Sequence, residues 1–358
     1  MPKTVTDQNH SAKGLIIITR LDEMIIGQWN RFVDDHPHGS VLQSPFSYQL
    51  FDLTSHFVPV FIGCFDENRR MVGVLLGVLI KERSSLKGLF SSRLVVYGGP
   101  LADGLHPEKR LIFSLLLENL IKKVKNSAIF IQFRASYDLS PYADIFQQFD
   151  FKWVPRLNLL VDTTNKQRFV QEISSTKRRQ IRKSLENGAK IIEPANLEQV
   201  RAFYDILYDL YRHKVRKPLP DWSFFEAFFN LIADSKFGKY FLIEYDKRII
   251  GGIMSPFMPG KSVFEWYVCG LDAEFRAKGI YPSVLATSAA IEFAGKMGCK
   301  LFDFMGVGKP DEPYGVRDFK MKFGGFQVNY GRYIRINSHL KYAIAEFGYN
   351  LLTWLKKV

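Results

Sequence analysis

The chain has little that would staple or anchor it. Among 358 residues the three cysteines, Cys64, Cys269 and Cys299, stand singly in apolar stretches. None has the spacing of a zinc knuckle or of a disulfide framework, which points to a reducing, cytoplasmic setting. The seven histidines are equally scattered, and only His36 and His38 lie close together. No carboxylate or cysteine completes a ligand set around them, so neither a metal nor a bound cofactor is expected. No run of 18 or more apolar residues occurs, and the mostly polar Met1–Lys13 is not a signal peptide, so no membrane span or export by that route is expected. Acidic residues are outnumbered, 36 against 49 Lys and Arg, leaving a net charge of +13. That balance favours polyanionic partners: phosphorylated substrates, tRNA or an anionic membrane surface.

At 47% hydrophobic and 24% charged, the chain has the composition of a folded protein, and its length fits two domains. Apolar alternation marks a hairpin at Val58–Phe65 and Met71–Ile80, then a strand at Leu94–Leu101. A helix with Leu111, Leu115, Leu116 and Leu120 on one side follows, then a strand at Ala128–Arg134. The second half repeats the order: Tyr240–Tyr245, Ile249–Phe257, Val263–Leu271, a helix near Ile280–Met297, and Lys300–Met305. Phe61 and Phe241 stand 180 residues apart, Tyr97 and Tyr267 170, and Ile129 and Leu301 172, the signature of a duplication. The order resembles the acyl-CoA N-acyltransferase (GNAT) superfamily. It predicts an α/β protein of two tandem GNAT-like domains with mixed central sheets. The polar Thr163–Lys166 places the boundary at 1–164 and 165–358, the second domain closing with an amphipathic helix at His339–Val358.

Two segments carry candidate chemistry. In Lys177-Arg178-Arg179-Gln180-Ile181-Arg182-Lys183, helical spacing gathers Arg178, Arg179, Arg182 and Lys183 on one side, and Gly188 closes the stretch. Their mutual repulsion costs a few tenths of a kcal/mol per pair. A bound phosphate would offset it, although a solvated face is the plainer reading. The second segment runs Asp303-Phe304-Met305-Gly306-Val307-Gly308, then from Tyr314 to Gly325. A strand ending in glycines, followed by lysines and aromatics, suits a backbone that approaches a ligand, and equally suits tight turns.

Joined by Trp29, Gln43-Ser44, Tyr97-Gly98-Gly99-Pro100, Arg182-Lys183 with Gly188, and Glu265-Trp266-Tyr267, these segments resemble the FemAB family. That family transfers amino acids from aminoacyl-tRNA onto peptidoglycan precursors. The resemblance runs from about Trp29 to Tyr330. It implies paired lobes with substrate in the cleft and aminoacyl-tRNA as donor. The implied acceptor is an amine of a nucleotide- or lipid-linked peptidoglycan precursor.

Amine attack on an ester places negative charge on the carbonyl oxygen, where a cation is worth several kcal/mol. The resemblance assigns that cation to Lys320, with Lys322 as rival should the segment be extended. It places Phe319, Tyr314, Gly306 and Tyr267 along the substrate. Asp303 and Glu265 compete as proton acceptor, but Asp303 equally suits capping a turn or pairing with Arg317, and the chemistry runs without a protein base. Two departures stand out: no lysine occurs at Pro45–Phe51, where relatives that bind nucleotide-linked precursors carry one, and the coiled-coil arm is missing.

The alternative donor is an acyl-CoA, used in cell-surface glycan synthesis. Acetyltransferases cradle its pyrophosphate on backbone N–H groups of a glycine loop and the following helix. Here that stretch reads Arg276-Ala277-Lys278-Gly279-Ile280-Tyr281-Pro282, in which Pro282 has no N–H, tilting the balance away from CoA. Two helical stripes complete the reading. Tyr204, Tyr208, Tyr211 and Arg212 form a core stripe or a stacking surface. Leu340, Ile344, Phe347, Leu351 and Leu355, with Lys341, Lys356 and Lys357, pack on the second domain or touch the inner membrane surface.

Overall fold

The computed structural model describes residues 9–10, 14–81, 92–165, 171–233 and 235–344. Contacts divide it into two compact units, Met1–Pro155 with Tyr330–Val358, and Arg156–Asn329. The first carries β1 (Asn9–His10), β2 (Ile16–Ile18), β3 (Phe57–Phe65), β4 (Met71–Ile80), β5 (Arg93–Gly98), β6 (Leu101–Ala102), β7 (Phe130–Ala135) and β8 (Lys152–Val154). The second carries β9 (Asn158–Asp162), β10 (Lys190–Ile192), β11 (Gly238–Tyr245), β12 (Arg248–Met258), β13 (Ser262–Phe264), β14 (Tyr267–Gly270), β15 (Leu301–Gly306) and β16 (Phe326–Val328). The last strand, β17 (Arg332–Ile336), returns to the first unit.

The duplicated order is present. β3 and β4 form an antiparallel hairpin, as do β11 and β12. The second turns through Asp246 and Lys247, both at positive φ, the conformation that matches strand twist in a two-residue turn. In each unit a crossover helix then leads to a parallel strand. Lys109–Val124 buries Ile112, Phe113, Leu116 and Leu120 between β6 and β7. Pro282–Lys296 buries Val284, Leu285, Ala290 and Ile291 between β14 and β15. Parallel partners need such a connection, and its apolar face covers the sheet.

The boundary lies elsewhere than at 164. The first sheet runs β1-β2-β3-β4-β5-β7-β17-β8 and the second β10-β11-β12-β13-β15-β9-β16. After edge strand β8 the chain enters β9, which sits between β15 and β16 of the other sheet. After edge strand β16 it enters β17, between β7 and β8 of the first. Each unit thus takes its penultimate strand from the sequence that follows the other's edge strand. A cut near 164 separates strands that the fold keeps together. Of the expected terminal helix, His339–Ile344 is helical, with Leu340 75% and Ile344 46% exposed, and the rest lies outside the described residues. No helix among the described residues is long and apolar enough to cross a membrane.

The exchange makes a direct prediction. A fragment of residues 1–164 lacks β17 and strands β9 without a sheet, so it is expected to show no cooperative urea transition by circular dichroism. A sharp transition would show the exchange to be dispensable.

Candidate active site

The predicted strand Val263–Leu271 is two strands. β13 pairs in parallel with β15 as far as Phe264 and Asp303, and Glu265 N–H donates to the Asp303 carbonyl at 2.9 Å as the last rung. Past Trp266, β14 pairs with β12 and with no other strand among the described residues, so β14 and β15 separate. In the first unit the matching strands, β5 and β7, stay paired from Arg93 and Phe130 to Gly98 and Ala135. Only the second sheet opens.

The three residues proposed for catalysis meet at the opening. Glu265 is buried, and its Oε1 lies 2.9 Å from Lys320 Nζ, the two side chains being 2% and 11% exposed. Its Oε2 accepts from Thr287 Oγ1, on the crossover helix, at 3.3 Å. Lys320 also donates to the Phe304 carbonyl at 2.7 Å. That carbonyl is available because the β15–β9 register slips between Asp303 and Gly306, where Met305 takes a positive φ of 58°. Such a conformation costs a non-glycine residue on the order of 1 kcal/mol or more. It also lets Met305 N–H donate to Asp303 Oδ1 at 2.5 Å. Asp303 therefore takes the capping role and does not pair with Arg317, which donates to the carbonyls of Val307, Lys309, Pro310 and Glu312.

Burial pushes the Asp303 carboxyl up to about 7; Met305 N–H, Lys320 and Asn158 oppose the rise, and the Glu265 carboxylate adds to it. A lysine ammonium has three donor hydrogens. Two are engaged here, Nζ also lies 5.5 Å from the Phe304 ring centroid, and no third hydrogen-bond acceptor occurs among the described residues. The cluster thus offers one free donor beside a carboxyl that titrates near neutrality.

Other expected site residues fall around this point. Gly315–Met321 is a helix, not an extended segment, so Lys322 is exposed and diverges from Lys320. Tyr314 caps that helix, Gly306 pairs with Asn158 at the end of β15, and Tyr267 lies on β14. On the basic helix Ser175–Glu186, Arg178, Arg179, Arg182 and Lys183 are exposed as predicted. Arg178 caps the carbonyls of Gln171 and Ile173, and Arg182 lies 3.6 Å from Glu186, leaving Arg179 and Lys183 outside any ion pair among the described residues.

The sequence reading missed Lys177, the one cation of that run that turns inward. Its ammonium lies 3.6 Å from the Phe319 ring centroid and 5.0 Å from that of Phe323, the rings on either side of Lys320. Burial lowers its pKa to about 8, with Asp272 opposing and Lys322 reinforcing.

The stretch that cradles pyrophosphate in acetyltransferases is filled by protein. Tyr281 N–H donates to Ser184 Oγ of the basic helix at 2.9 Å, and Gly279 and Ile280 N–H to the carbonyls of Arg276 and Phe275. Ser283 donates backbone and side-chain hydrogens to the Asp272 carboxylate. A carboxylate already occupies the electropositive start of the crossover helix.

The fold is that of two tandem GNAT-like units, the second of which carries the open sheet. Residues 173–321 match the acetyltransferase (GNAT) domain family. The chain is similar to the crystal structure of FemX at 14% identity, TM-score 0.67, covering 89% of this chain and 97% of that one. It is also similar to a tandem GNAT protein from the clavulanic acid biosynthesis pathway, at 10% identity, TM-score 0.55, covering 90% and 99%. A third likeness is to the C-terminal domain of a putative lysylphosphatidylglycerol synthetase from Agrobacterium fabrum, at 14% identity, TM-score 0.55, covering 91% and 96%. A comparison with curated protein sequences gives no match.

The buried pair sets the stability expectation. Lys320→Met or Glu265→Leu alone leaves an uncompensated charge and is expected to cost about 3–5 kcal/mol, and the double variant less than the two together. Additive losses in urea melts would show that the two charges do not depend on each other.

Proposed function

We propose that this chain is an aminoacyltransferase, moving an amino acid from aminoacyl-tRNA to an amine of a peptidoglycan precursor. The observation that carries the reading is the remaining hydrogen of the Lys320 ammonium, held in place by Glu265 and the Phe304 carbonyl. In the proposed step the acceptor amine attacks the ester carbonyl carbon, forming the C–N bond, while Lys320 donates to the developing oxyanion. The C–O bond to the terminal ribose then breaks. Asp303 takes the proton from the attacking amine and returns one to the leaving ribose oxygen, so the enzyme ends as it began. The exposed Arg178, Arg179, Arg182 and Lys183 supply the positive face for the phosphates of a nucleotide- or lipid-linked acceptor. Phe319, Tyr314, Gly306 and Tyr267 are the residues we assign to the walls around the reacting groups.

The GNAT domain match favours a second reading, an acyl-CoA-dependent N-acyltransferase. Against it stand the crossover-helix donors already engaged by Ser184 and Asp272. Release of free thiol from acyl-CoA, with no consumption of labelled aminoacyl-tRNA, would select that reading over ours.

Lys320→Ala is expected to lower kcat by about 10²–10³ with KM nearly unchanged, measured as amide formation from labelled aminoacyl-tRNA. An effect confined to KM would remove Lys320 from the chemistry. Turnover is expected to rise as pH passes through about 7, where Asp303 loses its proton. In Asp303→Asn that limb should vanish and the rate stay low at every pH. A limb that persists in the variant assigns the proton transfer to another group.

A further inference from the structure

One segment of the second unit has no part in the chemistry above. The helix Leu197–Leu210 continues into a single π-helical turn, Tyr211–Val215, which ends at Arg216 in the left-handed conformation, φ 53°. Isolated π turns cost hydrogen-bond geometry and occur frequently at functional sites. This one gathers Arg212, Lys214, Arg216 and Lys217, all exposed, and no salt bridge engages any of them among the described residues. The nearest acids along the chain are Asp209 and Asp221, and the Asp209 carbonyl, 3.0 Å away, holds His213 Nδ1.

Aromatic rings interleave with these charges. Tyr208 is 46% exposed and its ring lies 6.0 Å from that of Tyr204. Tyr211 lies 6.2 Å from Tyr267 of β14, and Lys217 Nζ 5.8 Å from the ring of Tyr314. The turn thus reaches both the strand that opens away from β15 and the start of the helix bearing Lys320. From Tyr314 to Lys320 that helix spans about 9 Å.

We propose that the π turn is a binding site for single-stranded polynucleotide, holding the phosphodiesters next to the ester while Lys320 meets the carbonyl. Cations that track phosphates, with rings on which bases stack, are the elements of such sites. A lipid surface asks for a broad exposed apolar face beside the cations, and the exposed side chains of this turn are Arg212, His213 and Lys214, followed by Arg216. The assignment of the polyanion rests on the donor reading above; the site itself rests on the charges and rings.

The test measures binding without turnover. A fluorescein-labelled single-stranded RNA dodecamer is titrated by anisotropy against the full chain and against the variant Arg212→Gln/Lys214→Gln/Lys217→Gln, with circular dichroism confirming that both fold. The expected result is at least a tenfold loss of affinity at 100 mM salt. The salt dependence should also be shallower by about 2, near 0.7 for each lost contact. Equal affinity of variant and parent overturns the site. So does a variant that keeps RNA affinity while losing binding to phosphatidylglycerol vesicles, which would make the turn a lipid contact. If the parent transfers no amino acid from tRNA but the variant still loses RNA affinity, the donor reading falls and the site stands.

Discussion

The buried pair of Lys320 and Glu265 is the constraint around which the second unit is arranged. A carboxylate as enclosed as Glu265 is costly without a cation, and an ammonium as enclosed as Lys320 without an anion. Each therefore fixes the other, and both fix the elements that carry them. Glu265 sits where the strand parts from β15, so its peptide N–H can close the last rung while its side chain turns to the lysine. Lys320 needs a second acceptor, which the slip in β15 supplies by freeing the Phe304 carbonyl. The break in one strand, the bulge in its neighbour and the helix at Gly315–Met321 are one device seen from three sides.

The same reasoning explains Lys177. A cation cut off from part of its hydration by burial gains from the quadrupoles of Phe319 and Phe323, and those rings flank Lys320. The basic helix is thereby tied to the helix bearing Lys320 through its one inward charge, while Ser184 and Asn187 tie it to the stretch before the crossover helix. The protein's own groups occupy the positions from which an acetyltransferase reaches for pyrophosphate.

How far this was legible in the sequence depends on what kind of signal each feature leaves. The hairpins and crossover helices announce themselves by apolar period, and the duplication by constant offsets. Lys320, Glu265 and Asp303 stood out through family likeness, but nothing in their spacing shows that they touch. The break at Glu265-Trp266 is hidden because Val263–Leu271 is apolar on either side of it, and a strand that changes partner keeps its alternation. The strand exchange is hidden because β9 and β17 are short strands whose pattern suits either sheet. Lys177 is concealed among like charges, since helical spacing places it beside the exposed strip and only the rings of Phe319 and Phe323 decide that it turns inward.

Duplication leaves two copies of one architecture, and the packing shows why their sheets differ. In the first unit the segment after β5 bends through Gly98 and Gly99, at φ 81° and 96°, against the wholly buried Gln43. A Cβ at Gly98 would lie 2.6 Å from the Gln43 side chain, so the glycine is what lets the glutamine fill the bend. Gln43 is in turn held by Ser40 Oγ at 2.5 Å, and its carbonyl accepts from Trp29 Nε1 at 2.7 Å. Neutral amide and hydroxyl groups satisfy one another there, and β5 stays zipped to β7. In the second unit a buried carboxylate, Glu265, stands where β13 parts from β15, accepting from Thr287 and paired with Lys320. The first unit thus sets a neutral plug beside strands that stay paired, and the second a buried ion pair beside strands that part.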